Sequence, residues 1–266
     1  MKYTYGPVRS RRLGWSLGID VVPKLKTCTY NCVYCEIGKT SLKGYVSTKY
    51  RYEVPPRFKE DFKAELQDKL VEGAAYIDAI SFGYNGEPTL NKDLNIVFDL
   101  TRKLRFEVGI KKVPITILTN SSTLGFPEIR KVLQNFDIVI AKLDAGTQQI
   151  FNSTNNPHFS VPSLPEIIKN LKLLKSEMKA GKKLYIQTLL YKVRAPTSLK
   201  SNATKENVTA ISEAVNEIRP DQLHIYSVSR PPAEDKVRAL KNLELIEYSD
   251  IMAKLVKEPT EVFHFH

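Results

Sequence analysis

Cysteine is scarce in this sequence: there are three among 266 residues, and all of them fall within positions 28–35. An odd number of thiols gathered in one loop excludes a disulfide framework, which uses spaced pairs, and points to a reducing compartment where clustered thiolates bind metal. Long apolar runs are lacking as well. No stretch approaches the roughly 18–20 apolar residues that span a bilayer, and the opening MKYTYGPVRSRRLG carries charge with no apolar segment behind it. Neither a membrane span nor a secretory leader is therefore expected, and the cytoplasm is the expected location. Fixed-period repeats and low-complexity tracts are absent, and 42% apolar with 26% charged residues is an ordinary globular composition.

Acid is in deficit. Asp and Glu number 29 against 40 Lys and Arg, a formal charge of +11. Such a field draws phosphate-rich partners such as tRNA. The lysines are spread along the chain, however, and a solvated surface rich in Lys and Glu accounts for the same total. The densest basic group, Arg9, Arg11, Arg12, Lys24 and Lys26, stands just ahead of the cysteines.

What is present is a regular alternation. Six short runs of β-branched character, at 17–22, 77–82, 113–119, 137–143, 184–191 and 222–228, alternate with stretches of helical period. Phe58, Phe62, Leu66 and Leu70 recur every four residues behind Pro55-Pro56, as a helix start with one apolar face requires. Leu164 to Leu174 and Val208 to Ile218 repeat the pattern, the second ended by Pro220. Strand, helix, strand in this order demands a mainly parallel sheet with right-handed crossovers. The expected fold is α/β, an open (β/α)6 barrel in preference to a flat doubly wound sheet, with functional groups at the carboxyl ends of the strands. One domain over 1–266 is expected, its core barrel at about 13–230 and a C-terminal helical extension and tail at 231–266. The last residues, EVFHFH, alternate as an edge strand or a strand closing the barrel would.

The run CTYNCVYC supplies Cys28, Cys32 and Cys35 in C-x3-C-x2-C spacing. A closed zinc site needs four protein ligands, and His158, His224, His264 and His266 are all remote in sequence. A [4Fe–4S] cluster on three thiolates leaves one iron open for a ligand that is not protein, and an open iron suggests a reaction. A zinc loop completed by a distant histidine, or a fortuitous group of buried thiols, remains the bland alternative.

With Tyr34 between its last two cysteines, CTYNCVYC resembles the cluster loop of radical S-adenosylmethionine (SAM) enzymes, and it follows the first expected strand as theirs does. The resemblance implies a partial (β/α)6 barrel, a [4Fe–4S] cluster, and SAM chelated to the open iron and cleaved to a 5′-deoxyadenosyl radical. It also implies an electron donor such as ferredoxin or flavodoxin. GYNGEPTL, after the second strand, is similar to the family's Gly-Gly-Glu loop with Asn85 in place of the first glycine. Glu87 would take the SAM ammonium and Gly86 would let the backbone approach; a tight turn with a helix-start proline is the structural alternative. The third strand ends in ILTNSS, where Asn120 is the candidate for cofactor contact and Ser121 or Ser122 for a helix cap. AKLDAGT ends the fourth, placing Lys142 and Asp144 on a buried strand where each needs a partner, either SAM, which the resemblance favours, or an internal ion pair.

Gln187 in the fifth strand, His224 and Tyr226 in the sixth, and Arg230 just beyond are substrate-side candidates. Arg230 could grip a phosphate or carboxylate, whereas a structural role is the better single reading of His224. GPVRSRRLGWSLGID, NGEPTL, KLDAGT and RPPAE together are most similar to a branch grouped with wyosine-type tRNA-modifying proteins. Wyosine formation itself is not expected, because the second set of cysteines that it uses is missing. An enzyme acting on RNA or a phosphorylated metabolite, and an activase placing a radical on a partner protein, are the two functional expectations. A non-catalytic iron–sulfur protein is a third, for which NGEPTL and AKLDAGT have no use.

Overall fold

The computed structural model describes residues 2–22 and 24–266. Strands β1 (Thr4–Ser10) and β2 (Gly14–Ile19) form an antiparallel hairpin. From β2 onward strands alternate with helices: α1 (Phe58–Gly73), β3 (Ala79–Phe82), α2 (Leu94–Glu107), β4 (Ile115–Thr119), α3 (Pro127–Leu133), β5 (Ile138–Lys142), α4 (Gln148–Asn155), α5 (Leu164–Glu177) and β6 (Lys183–Leu190). After the short β7 (Lys192–Val193) come α6 (Lys205–Ile218), β8 (Gln222–Ser227), the short β9 (Val237–Arg238), α7 (Asn242–Leu255) and β10 (Glu261–Phe265). The main sheet has the order β1-β2-β3-β4-β5-β6-β8-β10, parallel from β2 to β10, and curls into an open half-barrel. The strands β2, β3, β4, β5, β6 and β8 are the six expected from sequence. The hairpin strand β1 was not expected, and the EVFHFH tail takes its edge role as β10, paired parallel to β8.

Register divides the sheet into two faces. Leu17, Ile80, Ile115, Val139, Leu184 and Leu223 lie on the outer face and are fully buried under the helices. Helix α1 contributes Phe58, Phe62, Leu66 and Leu70 to the same core, each worth about 1.5–3 kcal/mol of burial. Truncating Phe62 to Ala removes about 3–5 kcal/mol. The inner face is different in kind. Ser16, Ser81 and Thr116 share this face on β2, β3 and β4, Ser81 being hydrogen-bonded to both of the others (2.6 and 3.0 Å), while Lys142, Gln187 and His224 are abreast on β5, β6 and β8. A polar concave face on an otherwise buried parallel sheet is costly without function. The KLDAGT turn is pinned from outside: Gly146 packs so close to α6 that a Cβ there would meet Ala210 Cβ at 2.3 Å, and its N–H donates to Asn207 (2.8 Å).

Candidate active site

Strand β2 stops at Ile19 because the Asp20 carboxylate turns back to accept the Val22 N–H (3.0 Å). The chain then runs beside the loop after β3. Thr27 N–H donates to Asn85 O (3.0 Å) and Glu87 N–H to Thr27 O (2.9 Å). Gly86 makes this possible, with φ of 136° and a position where a Cβ would lie 1.8 Å from Thr27 O. The sequence assigned Gly86 to the approach of a cofactor; the structure gives it to the approach of the cysteine loop. The end of α4 docks on that loop from the other side, Asn155 O and Thr154 O accepting from the N–H groups of Asn31 (3.1 Å) and Val33 (3.0 Å).

Each sulfur faces a nitrogen donor from a different part of the chain. Cys28 Sγ accepts from Tyr30 N–H and from Asn120 Nδ2, both at 3.4 Å. Cys32 Sγ accepts from Asn155 Nδ2 (3.5 Å) and Cys35 Sγ from Lys26 Nζ (3.2 Å). Desolvation pushes the Cys28 thiol up to about 12 and Cys32 up to about 11, with Cys32 adding to the first and Cys35 to the second. Thiols that resist ionisation and repel one another once ionised, yet sit under N–H donors, form a donor set that a cationic cluster relieves. The set therefore fits an iron–sulfur centre. Asn155 and Lys26 escaped the sequence reading: one lies 120 residues downstream, and the other was visible only as one lysine in a basic group. His158, remote in sequence, lies alongside this loop, its N–H on Thr29 O (2.8 Å) and its ring on Tyr45.

Glu87 is 1% exposed. Its Oε1 accepts from Thr89 Oγ1 (2.6 Å), Thr119 Oγ1 (2.8 Å) and Thr89 N–H (3.2 Å), and its Oε2 from Asn120 N–H alone (2.6 Å). Burial raises its carboxyl above the ordinary range in spite of these bonds. Among the described residues no Lys, Arg or His pairs with it. Asn120 Nδ2 also donates to Thr29 Oγ1 (2.9 Å), so the residue ties Glu87, Cys28 and the cysteine loop together. Neither neighbouring serine caps a helix. Ser121, at φ 72°, donates to Lys142 O (2.9 Å), Ser122 Oγ bonds Thr29 Oγ1 (2.7 Å), and α3 starts behind Phe126 without a side-chain cap.

Lys142 and Asp144 form an ion pair of 3.0 Å with the Asp144 side chain fully buried. The charge balance that the sequence demanded is thus met inside the protein. Asp144 also accepts from Tyr34 OH, from Asn155 Nδ2 (3.1 Å) and from Leu189 N–H (2.8 Å). Burial works against the Lys142 charge, but Asp144 and Tyr226 hold its ammonium above the ordinary value. Nζ donates to Tyr226 OH (2.9 Å), which donates on to Gln187 Oε1 (3.3 Å). Tyr34, Asp144, Lys142, Tyr226 and Gln187 are in this way one continuous polar chain across the concave face.

His224 is buried 2.8 Å from Gln222 Oε1 and packed by Tyr185 and Phe265. Burial, with the field of Arg12, brings it down to about 4, so it is neutral near pH 7. Arg230, a substrate-side candidate in the sequence, is exposed and pairs with Glu36 (3.5 Å), linking the loop after β8 to the residue that follows Cys35. Arg11 and Arg12 are anchored on the fold. Arg11 donates to Ser227 O (3.3 Å), and the Arg12 guanidinium stacks 4.3 Å over the Tyr226 ring.

Residues 22–193 match the radical SAM superfamily. The chain belongs to that superfamily. Members of that superfamily are SAM-dependent radical enzymes with a [4Fe–4S] cluster and SAM as cofactors. A Brachyspira hyodysenteriae protein named GTPase Obg is 34% identical over 250 residues, which are 92% of this chain and 32% of that protein. A UPF0026 protein of Methanocaldococcus jannaschii is 30% identical over 242 residues, 91% of this chain and 68% of the relative. The chain thus spans about a third of the first relative and two-thirds of the second. It has no phosphate loop to match the name of the first, since Gly38-Lys39-Thr40 has Val33 where GxxxxGK[ST] needs glycine. Streptococcus suis SuiB bound to SAM overlays with a TM-score of 0.60 at 14% identity, over 91% of this chain and 49% of SuiB. TYW1 with a lysine-pyruvate adduct bound gives 0.60 at 12% identity, over 91% and 74%. Both likenesses show the radical SAM fold. No helix among the described residues is long and apolar enough to cross a membrane.

Proposed function

We propose that Cys28, Cys32 and Cys35 hold the cluster and that the chain abstracts hydrogen from a phosphate-bearing substrate, RNA or a small phosphorylated metabolite. Held by these three cysteines, a cluster would supply the single electron for reductive cleavage of SAM, the chemistry on which hydrogen abstraction from the substrate depends. The observation that carries the reading is Glu87: a buried carboxylate with no cationic partner among the described residues, tied through Asn120 to the first cysteine. A carboxylate in that state stabilises an ammonium by a charge-assisted bond, and Oε2, which accepts from Asn120 N–H alone, keeps acceptor capacity for one.

The remaining residues take supporting parts. Asn120, Asn155 and Lys26 orient and partly neutralise the sulfurs. Gly86 holds the two loops together. Tyr34, Lys142 and Asp144 form a rigid wall of the pocket that confines the adenosyl end of SAM, while Gln187 and Tyr226 face the substrate. His224 keeps the strands beneath them packed. Exposed Leu42, beside exposed Lys43 in the loop after the cysteines, suits an acidic one-electron carrier such as ferredoxin or flavodoxin. Free thiols suit the cytoplasm. The barrel of about 13–230 carries the chemistry, and 231–266 completes its edge as part of the same domain.

Anaerobic reconstitution with iron and sulfide, followed by dithionite and SAM, tests the reading. Formation of 5′-deoxyadenosine that depends on all three cysteines supports it. A colourless protein that binds one zinc and leaves SAM intact would falsify it.

A further inference from the structure

Between the β1–β2 turn and the free edge of β10 lies a cleft of about 630 Å3, lined by Arg9, Ser10, Arg11, Arg12, His264 and His266 among others, with no Asp or Glu side chain in its lining. Cationic side chains converging without a counter-ion are costly to gather unless an anion is to be held. The cleft has a built part. The Ser10 hydroxyl accepts from Arg12 N–H (3.3 Å) and Leu13 N–H (3.2 Å), fixing the turn. Arg11 is anchored on Ser227 O, and Arg12 is flattened on Tyr226. Stacking leaves the edge of a guanidinium free to donate, and Arg12 Nη1 is buried with no partner. Burial and the neighbouring Arg12 together lower Arg11, a repulsion that a shared anion removes. Glu36, whose field also reaches Arg11, is already held by Arg230 and Ser229.

We infer that this seam is a phosphate-binding site that anchors the substrate of the radical reaction; the inference rests on the reading given under Proposed function. Phosphate fits better than carboxylate, because several guanidinium forks converge there and a carboxylate fills only one of them. The site communicates with the reaction chamber. The ring on which Arg12 lies belongs to Tyr226, whose hydroxyl meets Lys142 and Gln187 on the concave face. A phosphate held at the seam would place the attached sugar or chain along that face. The shared chemistry is a phosphate ester, carried either by a small molecule or by an RNA backbone.

Calorimetric titration of the reconstituted enzyme with inorganic phosphate, and separately with total tRNA, tests the inference at several salt concentrations. Arg12→Gln and Arg11→Gln should each weaken binding about tenfold, the loss of one charge-assisted contact of ~1.4 kcal/mol. Lys59→Gln, on the exposed side of α1, should change nothing. Arg9→Gln, at an exposed position where folding is not at stake, should also weaken binding. Tighter binding of tRNA, with a salt slope of several and about 0.7–0.9 per phosphate, assigns the site to RNA; binding of phosphate with a slope near one and no gain from tRNA assigns it to a small phosphorylated molecule. Binding of neither probe, or binding that all three arginine variants leave intact, overturns the inference. Formation of 5′-deoxyadenosine is followed in the same samples. If it persists while phosphate binding fails, the seam site is wrong and the radical reading stands; if it fails throughout, the fault lies with that reading.

Discussion

Glu87 and Arg12 stand at opposite ends of two neighbouring parallel strands, one beyond β3 and the other ahead of β2. Each is a charge that the described protein does not answer. Glu87 is an anion wrapped in neutral donors, and Arg12 is a cation on an aromatic ring with one nitrogen unpartnered. Between them the Lys142–Asp144 pair is answered completely. An open anion at one end and an open cation at the other, with the charge between them neutralised, is the arrangement that the proposed cationic cofactor and anionic substrate call for.

The contrast can be broken most completely at the cysteines. Ala at Cys28, Cys32 or Cys35 should abolish the cluster's visible absorbance and 5′-deoxyadenosine formation while the circular dichroism stays unchanged. Residual product from a variant lacking all three would sink the assignment. The answered pair comes next. Lys142→Met leaves Asp144 buried without its cation and should cost about 3–5 kcal/mol in denaturant unfolding, whereas the double change Lys142→Met with Asp144→Leu should recover most of it.

Glu87→Gln removes the open anion without emptying its space. SAM should bind roughly 10–100-fold more weakly, the value of a ~1.5–3 kcal/mol charged bond, with iron content unaffected. Because burial raises this carboxyl, SAM affinity should fall on mild acidification, at a pH where exposed carboxylates are still ionised. The ligand-free protein should respond with the opposite sign: stability that the protonated Glu87 contributes is full at low pH and is lost as pH rises through the raised value. His224 supplies a smaller pH effect. Its value is lowered to about 4, so its contribution is present above the ordinary histidine range near ~6.5 and is lost as pH falls towards 4. Melting curves at pH 7 and 5 should therefore converge in His224→Phe. The smallest effect belongs to Lys26→Met, which takes a positive donor from Cys35; the cluster's midpoint potential, read by EPR-monitored titration, should move negative.

Periodicity made the six barrel strands legible, since each outer-face run is long enough to show, and the cysteine loop announced itself by spacing. The hairpin strand β1 did not. It carries Gly6, Pro7 and Arg9 within seven residues and buries only Thr4, so no apolar run marked it. Partners brought together by the fold were equally hidden. Asn155 reaches Cys32 only because α4 ends against the loop, and no local signal ties an asparagine after a helix to a thiol. The same limit applies to Gly86 and Arg230, residue types that serve ligands or the protein's own chain alike: no local signal foretold that Gly86 admits Thr27 or that Arg230 pairs with Glu36.

The cysteine loop is already framed by main-chain bonds. Besides its ties to α4, Cys28 N–H is held by Gly44 O (2.9 Å) and Cys28 O by Val46 N–H (3.1 Å). Iron therefore has no disordered segment to organise, and the entropy that a metal would otherwise have to overcome has been met in folding the polypeptide. Assembly of the cubane becomes a capture event on a standing mould, and oxidative loss of iron should leave the mould upright and ready for reloading.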